Sequence, residues 1–252
     1  MKKPLLLRCL RILRWVVALV SLTAMVVVFT VPTVACHASW LTRFQLIPAI
    51  MAGAALELLV IAISVALFGR LYCSVVCPLG IAQDVVHHCV AWALPKRTAK
   101  PLSRIVCAVR WTVLVLFVLG AAFGLTGLIA PYGIFGRFLT AVVCRIGESS
   151  MLVFVWSIGL FVFVMAMTFV RARWWCNRVC PVGTFLGLFS RWAYFHVRVE
   201  AAKCVKCGLC AKRCDKGALS VHDDNSIVVD ESQCVSCLDC VGLCRKDALK
   251  WR

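Results

Sequence analysis

Four stretches of this chain are apolar and long enough to cross a bilayer: residues 15–34, 46–68, 111–130 and 151–170. A helical span takes about 20 apolar residues. In hydrocarbon each backbone N–H and C=O must find its partner inside the segment, so helices are expected. Only the second stretch holds a charge, Glu57. The composition agrees: 62% of the residues are hydrophobic, well above an ordinary soluble domain. The expected class is a mainly α membrane protein with four transmembrane helices.

A formal net charge of +17 can mark a nucleic-acid binder. Here the cations cluster at the ends of the apolar runs, which is a topology signal instead. Lys2, Lys3, Arg8, Arg11 and Arg14 precede the first run. Arg70, Lys96, Arg97, Lys100, Arg104 and Arg110 lie between the second and third, and Arg171, Arg173, Arg178, Arg191 and Arg198 follow the fourth. The other two connections hold only Arg43, Arg137 and Arg145. Sixteen against three puts both termini in the cytoplasm, in a bacterial inner membrane. The opening residues and TVACHA also look like a secretory leader with Cys36 as a lipid acceptor. The apolar run is longer than a usual leader core, and uncleaved it completes an even set of spans, so retention is expected.

Residues 71–80 read LYCSVVCPLG and residues 174–183 read WWCNRVCPVG. Cys73 maps onto Cys176, Cys77 onto Cys180, Pro78 onto Pro181 and Gly80 onto Gly183, each 103 residues on, and Arg70 has its echo in Arg173. Proline disfavours helix at the residue before it and is welcome in the first turn of a new helix. Each C-x3-C-P motif therefore reads as a break between a span and an interfacial helix, with Trp92, Trp192 and Tyr194 at headgroup level. The chain is expected to hold two parallel repeats of span, outside loop, span, motif and interfacial helix. Pseudo-symmetry would bring Cys73, Cys77, Cys176 and Cys180 together on the cytoplasmic side. Three readings of these four stand open. They jointly ligate a further cluster or metal, cycle as redox thiols activated by Arg70 and Arg173, or pack as small structural residues.

The tail repeats with a period of 30: CVKCGLCAKRCDKGAL from Cys204, then CVSCLDCVGLCRKDAL from Cys234. C-x2-C-x2-C-x3-C is the ligand run of bacterial two-cluster ferredoxins, in which the fourth Cys serves the other cluster. Cys204, Cys207, Cys210 and Cys244 are thus expected to hold one 4Fe-4S cluster, and Cys234, Cys237, Cys240 and Cys214 the second. Disulfides do not suit a reducing cytoplasm, and zinc sites pair C-x2-C units rather than runs of four. Asp215 and Arg245 replace the proline that usually follows the fourth Cys. The expected domains are 1–199, the four-helix part, and 200–252, an α+β dicluster ferredoxin-like tail. SIVVDESQC, residues 226–234, suits a short strand and turn.

Taken together, the four spans, the paired motifs and the tail resemble the NapH/MauN family, quinol dehydrogenase membrane subunits serving periplasmic nitrate reductase and methylamine oxidation. A chain of 252 residues leaves no room for the flavin-binding or immunoglobulin-like domains of larger relatives. The resemblance implies electron transfer between the quinone pool and a partner iron-sulfur or cytochrome subunit, through two 4Fe-4S clusters. A redox maturation factor, delivering electrons to a metal or disulfide in a partner enzyme, is the alternative.

Among single residues, Glu57 falls near mid-span, where an ionisable group is a candidate quinol base. Its alternative is a neutral, hydrogen-bonded carboxyl. His87 and His88 follow the first motif, with Asp84 one turn before His88, and either shuttle protons or stand solvated at the interface. Cys36 and Cys144 lie in outside connections, and sequence does not decide whether they pair. Cys9, Cys89 and Cys107 are expected to pack as hydrophobes. No paired mid-span His or C-x-x-C-H marks a haem site. No dinucleotide or P-loop fingerprint points to NAD or ATP.

Overall fold

The structure, a computed structural model, describes residues 3–31, 44–92, 103–121, 123, 129–143, 151–222 and 225–251. Helix α1 (Lys3–Thr30) has 28 residues and is about 42 Å long at 1.5 Å per residue. Within it Leu5–Thr30, and likewise α6 (Arg104–Ala121), are long and apolar enough to cross a membrane. Two further apolar helices are shorter: α3 (Ala55–Phe68) with 14 residues and α8 (Met151–Met167) with 17.

The second apolar stretch is not one helix. It divides into α2 (Leu46–Met51) and α3. Gly53 turns the chain between them at φ +63°, a left-handed conformation that costs glycine little. The amides of Ala52, Gly53 and Ala54 close the turn on the carbonyls of Pro48, Ile50 and Ala49. Glu57 therefore stands in the first turn of α3, half-buried, and not at mid-helix as the continuous apolar run led us to expect. The connection before α8 also holds a helix that periodicity did not reveal, α7 (Pro131–Val143). Its Phe138 ring stacks on Phe161 of α8 at 3.8 Å, and Gly136 lets the Phe29 ring of α1 close on its backbone.

Both motifs break the chain where proline predicts. Helix α4 (Tyr72–Val75) ends before Cys77, which is extended at φ −70°, ψ 114°, and α5 (Pro78–Val90) starts on the proline. Helix α9 (Trp174–Arg178), Cys180 at φ −59°, ψ 120° and α10 (Pro181–Phe189) repeat the arrangement. The first turns of α5 and α10 are buried, while Trp92, Trp192 and Tyr194 near their far ends are exposed.

One core cluster joins Ala49 of α2, Ile61 and Val65 of α3, Ile134 of α7 and Val164 of α8 to the four motif cysteines. Outside it the long helices turn large apolar side chains outward, among them Leu13, Val20, Leu59, Leu116 and Leu152. Helices that are apolar outward as well as inward are not those of a soluble bundle. This is the surface of a membrane protein. Cys9, Cys89 and Cys107 lie exposed on that exterior and not in the core, because their helices present those faces outward.

The tail is a small α+β unit. Strand β1 (Val197–Val199) pairs antiparallel with β4 (Leu249–Trp251), and β2 (Leu219–Val221) with β3 (Ile227–Val229), which falls in the expected strand segment. Two five-residue helices, α11 (Leu209–Arg213) and α12 (Asp239–Leu243), follow the two cysteine loops. The amides of Tyr194 and Phe195 bond the carbonyls of Ala66 and Leu67, pinning the tail's entry to the end of α3.

Candidate functional site

The two cysteine loops have the same backbone. Lys206 and Ser236 have φ +55° and +52°, Gly208 and Leu238 +69° and +61°, Gly217 and Asp247 +78° and +49°. Every pair is 30 residues apart. Four of these six are L-residues in a region such residues rarely occupy, and strain of this kind is held at sites whose surroundings enforce it. The loops wrap two spaces. One cavity of about 190 Å³ is walled by Cys204, Cys207, Cys210 and Cys244 with apolar neighbours Val199, Leu209 and Ile227. A narrower one of about 20 Å³ is walled by Cys214, Cys234, Cys237 and Cys240 with Leu219, Val229 and Val235. Among the described residues no three Cys, His or carboxylates come together tightly enough for a single ion. The thiols surround spaces, not points. Burial pushes the Cys234 thiol up to about 11 and raises Cys237 and Cys240 too. A thiolate there needs a bound cationic centre to compensate it. This donor set, all sulfur in an apolar wall, fits 4Fe-4S clusters.

The second constellation is the motif quartet. Cys73, Cys77, Cys176 and Cys180 are all buried, in one cluster. Each motif's arginine serves the other motif. Arg70, fully buried, donates from Nη2 to the Cys176 carbonyl (3.0 Å) and from Nη1 to Asn177 Oδ1 (2.9 Å) and the Ser232 carbonyl of the tail (2.6 Å). Arg173, also fully buried, reaches back to the first motif and forks onto Asp84, Nε to Oδ1 at 3.0 Å and Nη2 to Oδ2 at 2.6 Å. Gly80 and Gly183 sit against the carbonyls of Cys73 and Cys176 so closely that a Cβ would collide with them. Burial outweighs the arginines, pushing Cys176 up to about 11 and raising Cys77 and Cys180. The Cys176 thiol donates to Gln83 Oε1 at 3.1 Å. Four buried donors around the quartet, Gln83 Nε2, Arg70 Nε, Arg173 Nη1 and Trp175 Nε1, have no partner among the described residues.

Asp84, which the sequence offered only as a neighbour of His88, is a hub of ion pairs. Besides Arg173 it accepts from Lys216 Nζ of the tail at 2.6 Å and faces Arg14 of α1 at 3.8 Å. Burial opposes its charge, but Arg173 and Lys216 prevail and hold the carboxyl well below the usual range. The position 103 residues on is Gly187, and there the Ser232 carbonyl fills the acceptor's place, 2.8 Å from where a Cβ would stand. A clue was present in the sequence, since a carboxylate and two arginines beside apolar runs must find partners.

A third cavity, of about 230 Å³, opens between α1, α5 and the tail. Arg14, Trp15, Asp84, His87, His88 and Asp215 line it. His87 Nδ1 lies 2.9 Å from the Thr168 carbonyl, which fixes the proton on Nδ1 and leaves Nε2 facing Asp215 at 3.9 Å. The His88 ring lies against Trp15, centroids 5.8 Å apart. Glu57 is not among the lining residues. Cys36 and Cys144 lie outside the described residues.

Known proteins share these features. Residues 50–98 and again 152–200 match a family described as a 4Fe-4S binding domain, and residues 203–248 match a 4Fe-4S dicluster domain. The chain is a ferredoxin-type protein with 4Fe-4S binding domains. More particularly, it belongs to the NapH/MauN type. It is 36% identical over 154 residues to the methylamine utilization ferredoxin-type protein MauN of Paracoccus denitrificans, covering 58% of this chain and 48% of the relative. It is 28% identical over 166 residues to the ferredoxin-type protein NapH of Haemophilus influenzae, covering 64% and 52%. With the putative electron transport protein YccM of Escherichia coli it shares 27% over 183 residues, covering 67% and 47%. The chain spans about half the length of these curated relatives. No solved structure matches.

Proposed function

We propose that this protein moves electrons between membrane quinol and a partner redox protein through two 4Fe-4S clusters in its tail. The observation that carries the reading is the pair of cavities, each walled by the four thiols that ligand exchange between the two runs requires. Cys204, Cys207, Cys210 and Cys244 hold one cluster, and Cys214, Cys234, Cys237 and Cys240 the other. When bound, each supplies a one-electron site. In this reading α1, α3, α6 and α8 are the spans, arranged as two parallel repeats over 1–199. The cation bias puts both termini and the tail, 200–252, on the cytoplasmic side.

The cavity between α1, α5 and the tail suits a quinol headgroup. Trp15 supplies an aromatic wall, and Asp215 and Asp239 on its rim adjoin Cys214 and Cys240 in sequence. Oxidation releases two electrons and two protons. His87, with Nδ1 committed to Thr168, takes one proton on Nε2, and Asp215 faces the imidazolium that forms. His88 is positioned at Trp15 for the second. With the full-length protein and a soluble quinol analogue, His87→Gln is expected to slow cluster reduction about a hundredfold. Glu57→Gln keeps the rate. If Glu57→Gln is slow and His87→Gln and His88→Gln are both fast, the base is Glu57 and the site lies elsewhere.

A second reading, a further redox centre at the motif quartet, is favoured by the four unpartnered donors there and by the family match over both motifs. Iron and acid-labile sulfide on anaerobically purified protein decide it. About twelve irons per chain, falling to about eight in Cys73→Ser/Cys176→Ser, establish a third cluster. About eight in both leave the quartet a redox dithiol or a structural turn. A partner enzyme that fails only in Cys73→Ser, with quinol oxidation intact, would instead point to a maturation factor.

A further inference from the structure

Among the described residues, the tail's polar attachment to the helices is concentrated beside the second thiol set, while Leu7 and Leu10 of α1 add apolar packing. The polar contacts run through residues 215, 216, 231, 232, 235, 236 and 239, all flanking the second thiol set. The Val235 carbonyl, beside Cys234, is 3.5 Å from Ser74 Oγ, beside Cys73. The Ser236 hydroxyl donates to the Phe68 carbonyl at 3.2 Å. By contrast, the cavity of the first set is lined only by residues 199–249. Its Cys207 is exposed, and around it Val205, Leu209 and Leu243 are 61%, 55% and 41% exposed. Lys206, Arg245 and Lys246 stand exposed around that apolar patch, with Lys203 beside them paired to Glu200 at 3.0 Å.

We propose that electrons pass between membrane and partner in the order second cluster, then first, and that the Cys207 face is the docking surface for a redox protein with an acidic face. This rests on the cluster assignment above. Attachment and exposure decide the order: residues flanking Cys234 and Cys237 carry the helix contacts, whereas Cys207 is the one exposed thiol of the eight. An apolar centre ringed by cations is the anatomy of a charge-steered interface. The transfer moves one electron from the reduced first cluster to an oxidised one-electron centre of the partner, with no bond made and no proton moved.

Full-length protein, reduced with dithionite and freed of excess, is mixed with flavodoxin, an acidic acceptor, or with basic cytochrome c. Wild type is expected to favour flavodoxin at low salt, with the rate falling about tenfold or more as ionic strength rises from about 0.01 to about 0.5 M. Lys206→Glu/Arg245→Glu/Lys246→Glu should lose that preference and gain rate with cytochrome c, while quinol still reduces both clusters at the wild-type rate. Val205→Ser/Leu209→Ser tests the apolar centre without altering charge and should slow both acceptors. Unchanged rates in both variants with full iron content overturn this inference alone. Loss of binding to anionic vesicles in the charge variant, with acceptor rates intact, assigns the patch to lipid and overturns it as well. Absence of iron from the wild-type tail defeats the cluster assignment itself.

Discussion

Replacing Asp84 by asparagine is expected to cost about 3–5 kcal/mol of stability, because it strands a buried guanidinium. Arg173 is fully buried and Asp84 carries its forked pair, so removing the carboxylate charge leaves Arg173 uncompensated. The same change releases Lys216, so the tail should become more open to limited proteolysis. Thermal unfolding in detergent reads the first effect. The double variant Asp84→Leu/Arg173→Met should lose less than Asp84→Asn alone, since both charges leave together. A cost under about 1 kcal/mol would mean the pair is effectively solvated. The pH dependence has a definite sign. Burial works against the Asp84 charge, yet Arg173 and Lys216 hold its folded pKa below the unfolded value of about 3.9. Its contribution is therefore whole above that value and is lost as pH falls below it. Wild type should lose stability across that acid window more steeply than Asp84→Asn.

The second large effect is expected at Gly183. An added Cβ collides with the Cys176 carbonyl and lies 2.7 Å from Arg70 Nη2. Neither neighbour gives way cheaply: one is backbone, the other a fully buried side chain holding three hydrogen bonds. Gly183→Ala should destabilise by about 1–3 kcal/mol or more, and Gly80→Ala should behave alike against the Cys73 carbonyl. Gly159 on α8 has nothing within 4 Å of its would-be Cβ, so Gly159→Ala is the matched control and should stay near wild type. Equal melting temperatures for Gly183→Ala and Gly159→Ala would show that the motif turn relaxes around the extra carbon.

The sequence by itself determined what is local. The first three thiols of each C-x2-C-x2-C-x3-C run lie close together in the chain, so spacing sets their local geometry, and the fourth thiol lining each cavity comes from the other run. Proline at 78 and 181 dictated the breaks before α5 and α10 through sterics with the preceding residue. Apolar length announced α1 and α6 but misjudged the second stretch. There a single left-handed glycine, Gly53, ends one helix and starts another without lowering hydrophobicity, which moved Glu57 from mid-span to a first turn. The tertiary structure decided what is distant. Arg70 meets Cys176 and Asn177 across 106 and 107 residues, and Arg173 meets Asp84 across 89. No local pattern encodes which buried charge answers which. That choice belongs to the packing, because a guanidinium taken out of water is tolerated only where the fold brings acceptors to it.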